Sequence, residues 1–297
     1  MNYHIISDGS CDLGVGAFEK YGVEIVPFYV SFDDETYLRE IKDIGIREFY
    51  QKMVNEPGVF PKSSMPSVQD YIDVFEPHLK DGEAIICICI TTKFSGSYNS
   101  ALNAKEILLE TYPDAKIQVI DATINTVLQG IYVREAARMK KNGLSFEEAV
   151  AALERIKSSG RIIFTIGNMD YLIHGGRVGK VMGVAANKLG IKPMILLKEG
   201  EIFSNGVARS RKKSIEKVIS QTREHFEKNQ LDPNKYEIVV GFGYDHDEAV
   251  AFRDKLLESL KEYSSITNVD IYQIGATIGV HTGPYPIGVA LLERYDA

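Results

Sequence analysis

The chain has 297 residues, 44% hydrophobic and 25% charged, a balance that excludes disordered and membrane-spanning classes and whose length suits two cores of roughly 150 residues each. A formal charge of -7 excludes a general nucleic-acid binder, which meets phosphates with a basic excess or stripe; the longest basic cluster, ARSRKK at 208–213, is too short to reverse this. The opening MNYHIISDGSCD does not read as a signal peptide, no 18-residue apolar run occurs, and Cys11, Cys87 and Cys89, an odd set without metal spacing, read as buried hydrophobes of a reducing cytoplasm.

Strands are predicted at HIISD (4–8) and VEIVPFYV (23–30), the second bent at Pro27. Helical patterns follow at 46–55 and 67–79, the latter opened by Ser67 with Asp70 three positions on. AIICICI (84–90) is a continuous apolar run, as a strand buried on both faces requires, and IQVID (117–121) repeats the type. Helices near 124–141 and 145–158, the second opened by the capping box SFEE, complete a βαβα series. Such a series implies a Rossmann-like α/β domain over 1–160, a mostly parallel sheet with helices on both faces. SSGR at 158–161 marks its end.

Residues 161–297 are more mixed. RIIFTIG, a short helix, HGGRVG, and the pair KPMILLK and EIFSNGVA joined through Glu199-Gly200 predict antiparallel pairing. A helix from about 210 to 228, YEIVVGFG, a helix opened by Asp245 with Glu248, VDIYQIG and the closing IGVALLERY predict an α+β domain with a largely antiparallel sheet.

Three stretches carry candidate chemistry. KFSGSYNSA (93–101) follows the apolar strand, so free N–H groups and the positive end of a helix dipole meet at Ser95 and Gly96, in the place where parallel sheets bind ligands. Ser95 or Ser97 as a plain helix cap explains the same residues. The Gly-Lys-Ser/Thr of a P-loop and the G-x-S-x-G of a hydrolase elbow are both absent. KSSMPS (62–67) offers Ser63 and Ser64 in an extended segment before a proline, or an ordinary turn. GATIGVHTGPYPIG (275–288) sets His281 and Thr282 in a glycine-rich loop whose backbone can approach a ligand closely, or leaves a satisfied surface histidine.

SDGSCDL, KSSMPS, KFSGSYNSA, YLIHGGRVG, ARSRKK and GVHTGPYPIG, in this order and across nearly the whole chain, resemble the signature blocks of the DegV family. The resemblance implies a two-domain fold with a long-chain fatty acid buried between or within the domains. It further implies a carrier, not an enzyme: like the binding subunits of bacterial fatty acid kinase, it presents the acyl carboxylate to a separate ATP-dependent kinase, whose acyl phosphate feeds phospholipid synthesis. By motif, Ser63, Ser95, Gly96 and His281 take the carboxylate-binding places, and Arg177 and Arg209 those of arginines that meet the kinase. The implied partners are a fatty acid of roughly C14 to C18, such as palmitate, stearate or oleate, the kinase, and a membrane surface touched transiently for lipid exchange, with no metal and no cofactor. Met65 and Tyr285 depart from the family pattern, and Tyr285 is expected to add bulk beside the head group. Two rival readings use the same residues: a Ser95/His281 esterase or thioesterase, and a triose-kinase-like subunit holding a small polar ligand.

Overall fold

The computed structural model describes residues 2–181 and 190–297. Strands β1 (Tyr3–Asp8) and β2 (Val23–Val26) pair in parallel. Helix α1 (Ala17–Tyr21) lies between them in sequence. Pro27 does more than bend the predicted 23–30 strand: it divides it, and β3 (Tyr29–Ser31) joins a different sheet with β4 (Leu38–Arg39) and β5 (Lys62–Ser64). That small antiparallel sheet, absent from the sequence reading, pairs Val30 with Ser63. Helix α2 (Ile46–Asn55) runs between β4 and β5.

The remaining strands of the first sheet are β6 (Ala84–Cys89) and β7 (Ile117–Asp121), in the all-parallel order β2-β1-β6-β7. Every residue of β1 and β6 is buried, because helices cover both faces. Ile85, Cys87 and Cys89 face α3 (Val68–Lys80) and α4 (Ser97–Thr111), while Ile86 and Ile88 face α5 (Thr126–Lys141) and α6 (Phe146–Ile156). The boxes at Ser67/Asp70 and Ser145/Glu148 both form.

The second sheet has six strands, β10 (Glu201–Ala208), β9 (Lys192–Lys198), β8 (Arg161–Thr165), β13 (Ile287–Glu293), β11 (Tyr236–Phe242) and β12 (Asp270–Gln273), in that spatial order. All neighbours are antiparallel except β11 and β12. Glu199 and Gly200 both take positive φ, as a tight two-residue hairpin demands. A short helix α7 (Asp170–His174) follows β8. Helices α8 (Arg211–Lys228) and α9 (His246–Leu260) cover one face of this sheet through Val218, Phe226, Phe252 and Leu256. The opposite face, with Ile162, Leu197, Val239 and Ala290, shares one continuous core with α5, α6 and the parallel sheet. Between β12 and β13 stands α10 (Ala276–Thr282), which packs with α2, β3 and Tyr171 of α7. No helix among the described residues is long and apolar enough to cross a membrane.

Candidate functional site

A cavity of about 290 Å³ lies between the six-stranded sheet, α10, the start of α5 and the turn after β6, just under the usual size range of small-molecule sites. Its interior is mainly apolar: Phe28, Ile90, Val127, Ile162, Phe164, Leu197, Ile202, Ile274 and Ile287 line it. Ser63, Ser95, Gly96 and His281 all stand on its wall. The fold thus brings together the four expected residues, from three segments far apart in the chain.

Each arrives by a local cause. Ser63 sits on β5, held in place by antiparallel pairing to Val30. Ser95 ends the tight turn after β6, where its N–H and that of Phe94 both donate to the Thr91 carbonyl. Gly96 is the N-cap of α4, and its missing side chain matters: a Cβ there would lie 2.7 Å from Met65 Sδ. Ser97 N–H donates to Ser95 Oγ at 3.2 Å, so part of the Ser95 hydroxyl's acceptor capacity is used locally while its own proton remains available. His281 lies in the last turn of α10, with Nε2 3.2 Å from Ser63 Oγ and Nδ1 buried without a partner among the described residues. Burial first, and then the neighbouring Arg177 guanidinium, push its pKa down to about 4. The imidazole is thus neutral near pH 7 and can donate one N–H.

Two features of the histidine segment differ from the expectation. It is a helix rather than a loop, and its glycines serve protein packing: a Cβ at Gly279 would lie 2.8 Å from Tyr50 Oη and 2.9 Å from Phe49, so the glycine lets α10 settle on α2. Gly283 ends the helix at φ 74 against the ring of Tyr171. Tyr285 is not on the cavity wall; its ring packs over Gly167 and edge-on against Tyr244.

The two arginines separate. Arg177 reaches the cavity, its Nε donating to Phe94 O at 3.2 Å and its Nη1 to Gly175 O at 2.8 Å. It thereby joins the turn before α4 to the turn after α7. Arg209 is exposed beyond β10 and does not line the cavity. Outside the cavity mouth, Phe94, Ser95, Gly96 and Arg177 also border an open cleft that adds Lys93, Lys180 and Glu201.

Beneath the cavity lie three carboxyl groups the sequence reading gave no role. Asp8 accepts from Ile90 N–H (2.9 Å), Ser97 Oγ (2.8 Å), Ser10 Oγ (2.6 Å) and Gln129 Nε2 (2.9 Å), which fixes the end of β6 against the start of α4. Glu40 accepts from Thr277 N–H (3.0 Å) and Thr277 Oγ (2.8 Å), holding the start of α10. Asp12 accepts from Thr126 Oγ at the start of α5. All three are buried and no cation pairs with them among the described residues, and burial raises each carboxyl's pKa, Asp12 well above the usual range. The signal for Asp8 and Asp12 was their position at the carboxyl end of a parallel strand; Glu40 had none.

Among the described residues no carboxylate orients His281, and its partner is Ser63 rather than Ser95. A nucleophile–base–acid array is therefore not assembled on Ser95, against the geometry an esterase needs.

The sequence profile of the DegV family, described as one of uncharacterised proteins, matches residues 2–294. The chain belongs to the DegV family. A DegV domain-containing protein of Clostridium acetobutylicum is 32% identical over 98% of this chain and 97% of its own length. A protein of Thermotoga maritima named as fatty acid-binding is 31% identical, with 99% of each chain covered. Among solved structures, a stearic acid-binding protein of Eubacterium ventriosum superposes with a TM-score of 0.93 at 44% identity, covering 99% of both chains. The resemblance read from six sequence blocks thus holds for the whole DegV chain.

Proposed function

We propose that this DegV protein binds one long-chain fatty acid, with its tail in the apolar cavity beside the six-stranded sheet and its carboxylate among Ser63 Oγ, Ser95 Oγ, the Gly96 N–H and His281 Nε2. The observation that carries the reading is the convergence of those four donors on the wall of an otherwise apolar cavity. The fatty-acid binding ascribed to relatives in Thermotoga maritima and Eubacterium ventriosum supports it.

The energetics suit a lipid. Each buried CH₂ is worth about 0.8 kcal/mol, so the tail dominates affinity. Neutral donors hold the anion through charge-assisted bonds of roughly 1.5–3 kcal/mol each. The chain itself is a carrier rather than an enzyme: a separate ATP-dependent fatty acid kinase in the cytoplasm takes the presented carboxylate, and the acyl phosphate enters phospholipid synthesis. The cleft bordered by Lys93, Arg177 and Lys180, the last paired with Glu201, directly outside Ser95 and Gly96 supports a docking place for that kinase, and exposed Arg209 is a second, more distant contact. We also propose a domain division near residue 160.

Organic extraction of the purified protein followed by mass spectrometry, beside native mass spectrometry of wild type and Ser95→Ala, tests this. A stoichiometric acid of roughly C14–C18, bound about tenfold or more weakly by the variant, is the expected result. A protein that carries no lipid and takes up neither palmitate nor oleate would refute it.

A further inference from the structure

We propose that the acyl chain this cavity selects carries a hydroxyl group beyond its carboxylate, held by the side-chain amide of Asn125. The inference rests on the fatty-acid reading above and names a narrower substrate class.

Asn125 immediately precedes α5, is 8% exposed and lines the cavity. Its Oδ1 is buried with no hydrogen-bond partner, and no side-chain bond to its amide exists among the described residues. The other polar side chains of the interior wall are engaged within the protein. Thr126 Oγ donates to Asp12, Thr277 Oγ donates to Glu40 at 2.8 Å, and Thr282 Oγ donates to Ile278 O at 3.1 Å. Outside the carboxylate-binding set, where His281 Nδ1 is also unpaired, Asn125 alone on the wall leaves an unpaired amide, an arrangement that is costly unless a ligand group or a bound water completes it.

The backbone holds the amide there at a cost. Thr123 and Thr126 have φ of 55° and 52°, left-handed values that β-branched residues rarely adopt outside strained functional loops. Thr126 is fixed by its bond to Asp12, and Val127 is wedged against Gly241, where a Cβ would lie 2.9 Å from Val127 Cγ2. The loop is therefore pinned on both sides of Asn125. An amide presents both an acceptor and donors, and a hydroxyl, which is both in one group, matches it.

The position follows from the hydrogen-bond chain. Ile124 O accepts from Thr91 N–H at 3.0 Å, and Thr91 O accepts from Ser95 N–H at 3.3 Å. Ser95 and Gly96 border both the cavity and the outer cleft, whereas Asn125 borders the cavity alone. The amide thus meets the chain inward of the carboxylate.

The test is competition binding to lipid-stripped protein, with stearate against a panel of hydroxystearates bearing the hydroxyl at successive carbons, for wild type, Asn125→Leu and Asn125→Ala. In wild type, one hydroxyl position is expected to outbind stearate by about tenfold, the factor one net hydrogen bond supplies. Both variants are expected to lose that preference while keeping their affinity for stearate. Stearate equalling or outbinding every hydroxy acid in wild type would overturn the inference even if neither variant folds. Equal loss of stearate and hydroxystearates in a folded variant would also overturn it, by placing Asn125 at the carboxylate. Wild type that binds stearate but no hydroxy acid refutes this inference alone; wild type that binds no acid at all refutes the fatty-acid reading and this inference with it.

Discussion

His281 is a histidine whose surroundings oppose its charged form. Its lipid-free pKa of about 4 lies below the ordinary 6.5, so the unfolded chain takes up the proton first as pH falls. The stabilisation from burying it neutral is present above pH 6.5 and is lost on going down towards pH 4. A fatty acid carboxylate placed beside Nε2 favours the imidazolium and moves the midpoint back up. NMR titration of the lipid-free protein should give a midpoint near 4 that rises on adding oleate; a lipid-free midpoint of 6.5 or above would contradict the environment described. Gly175 supplies the complementary residue-scale test, because a Cβ there would collide with His281 Nδ1. Gly175→Ala should turn the imidazole away from Ser63 and weaken fatty acid binding by about tenfold, read by isothermal titration, with a much smaller change in unfolding midpoint.

At the scale of elements, helix starts are where local sequence governs most. Ser145 accepts from Glu148 N–H at 3.3 Å, while Glu148 accepts in return from Ser145 N–H and Oγ at 2.8 and 2.7 Å. Ser145→Ala should lower stability by about 1 kcal/mol in urea unfolding and leave lipid affinity unchanged, since α6 contributes nothing to the cavity wall. Such boxes, the all-apolar run of β6 and the Glu199-Gly200 hairpin were legible because each depends on neighbours in sequence. Helix α10 was not legible. Its glycines read as loop residues, and only contact with Phe49 and Tyr50, more than 200 residues earlier, shows why a helix needs them. The sheet of β3, β4 and β5 was hidden for a similar reason: its strands are two or three residues long, and only their pairing defines them.

For the molecule as a whole, the legible part of the candidate site was the set of groups proposed above to meet the carboxylate. Ser63, Ser95, Gly96 and His281 stood in recognisable blocks, whereas Glu40 and Asn125 act through spatial neighbours no local pattern announces. The buried acids give a global prediction. Burial raises the folded-state pKa of Asp8, Asp12 and Glu40 above the unfolded value. The native state therefore holds their protons longer, and stability declines as pH rises through those raised values. Asp12→Asn, which cannot ionise, should show a shallower decline than wild type in urea midpoints as pH rises above the ordinary carboxylate range; an unchanged slope would contradict the raised value.

The bond between Ser63 and His281 spans 218 positions of the chain. Translation delivers Ser63 more than 200 residues before His281. A nascent chain that has already formed its parallel sheet still lacks the histidine, α10 and the last strand, β13, that close one side of the cavity. Under the proposed function, lipid loading would therefore have to follow synthesis of β13, and a product truncated before residue 275 would leave the apolar wall uncovered, a target for chaperones and proteases.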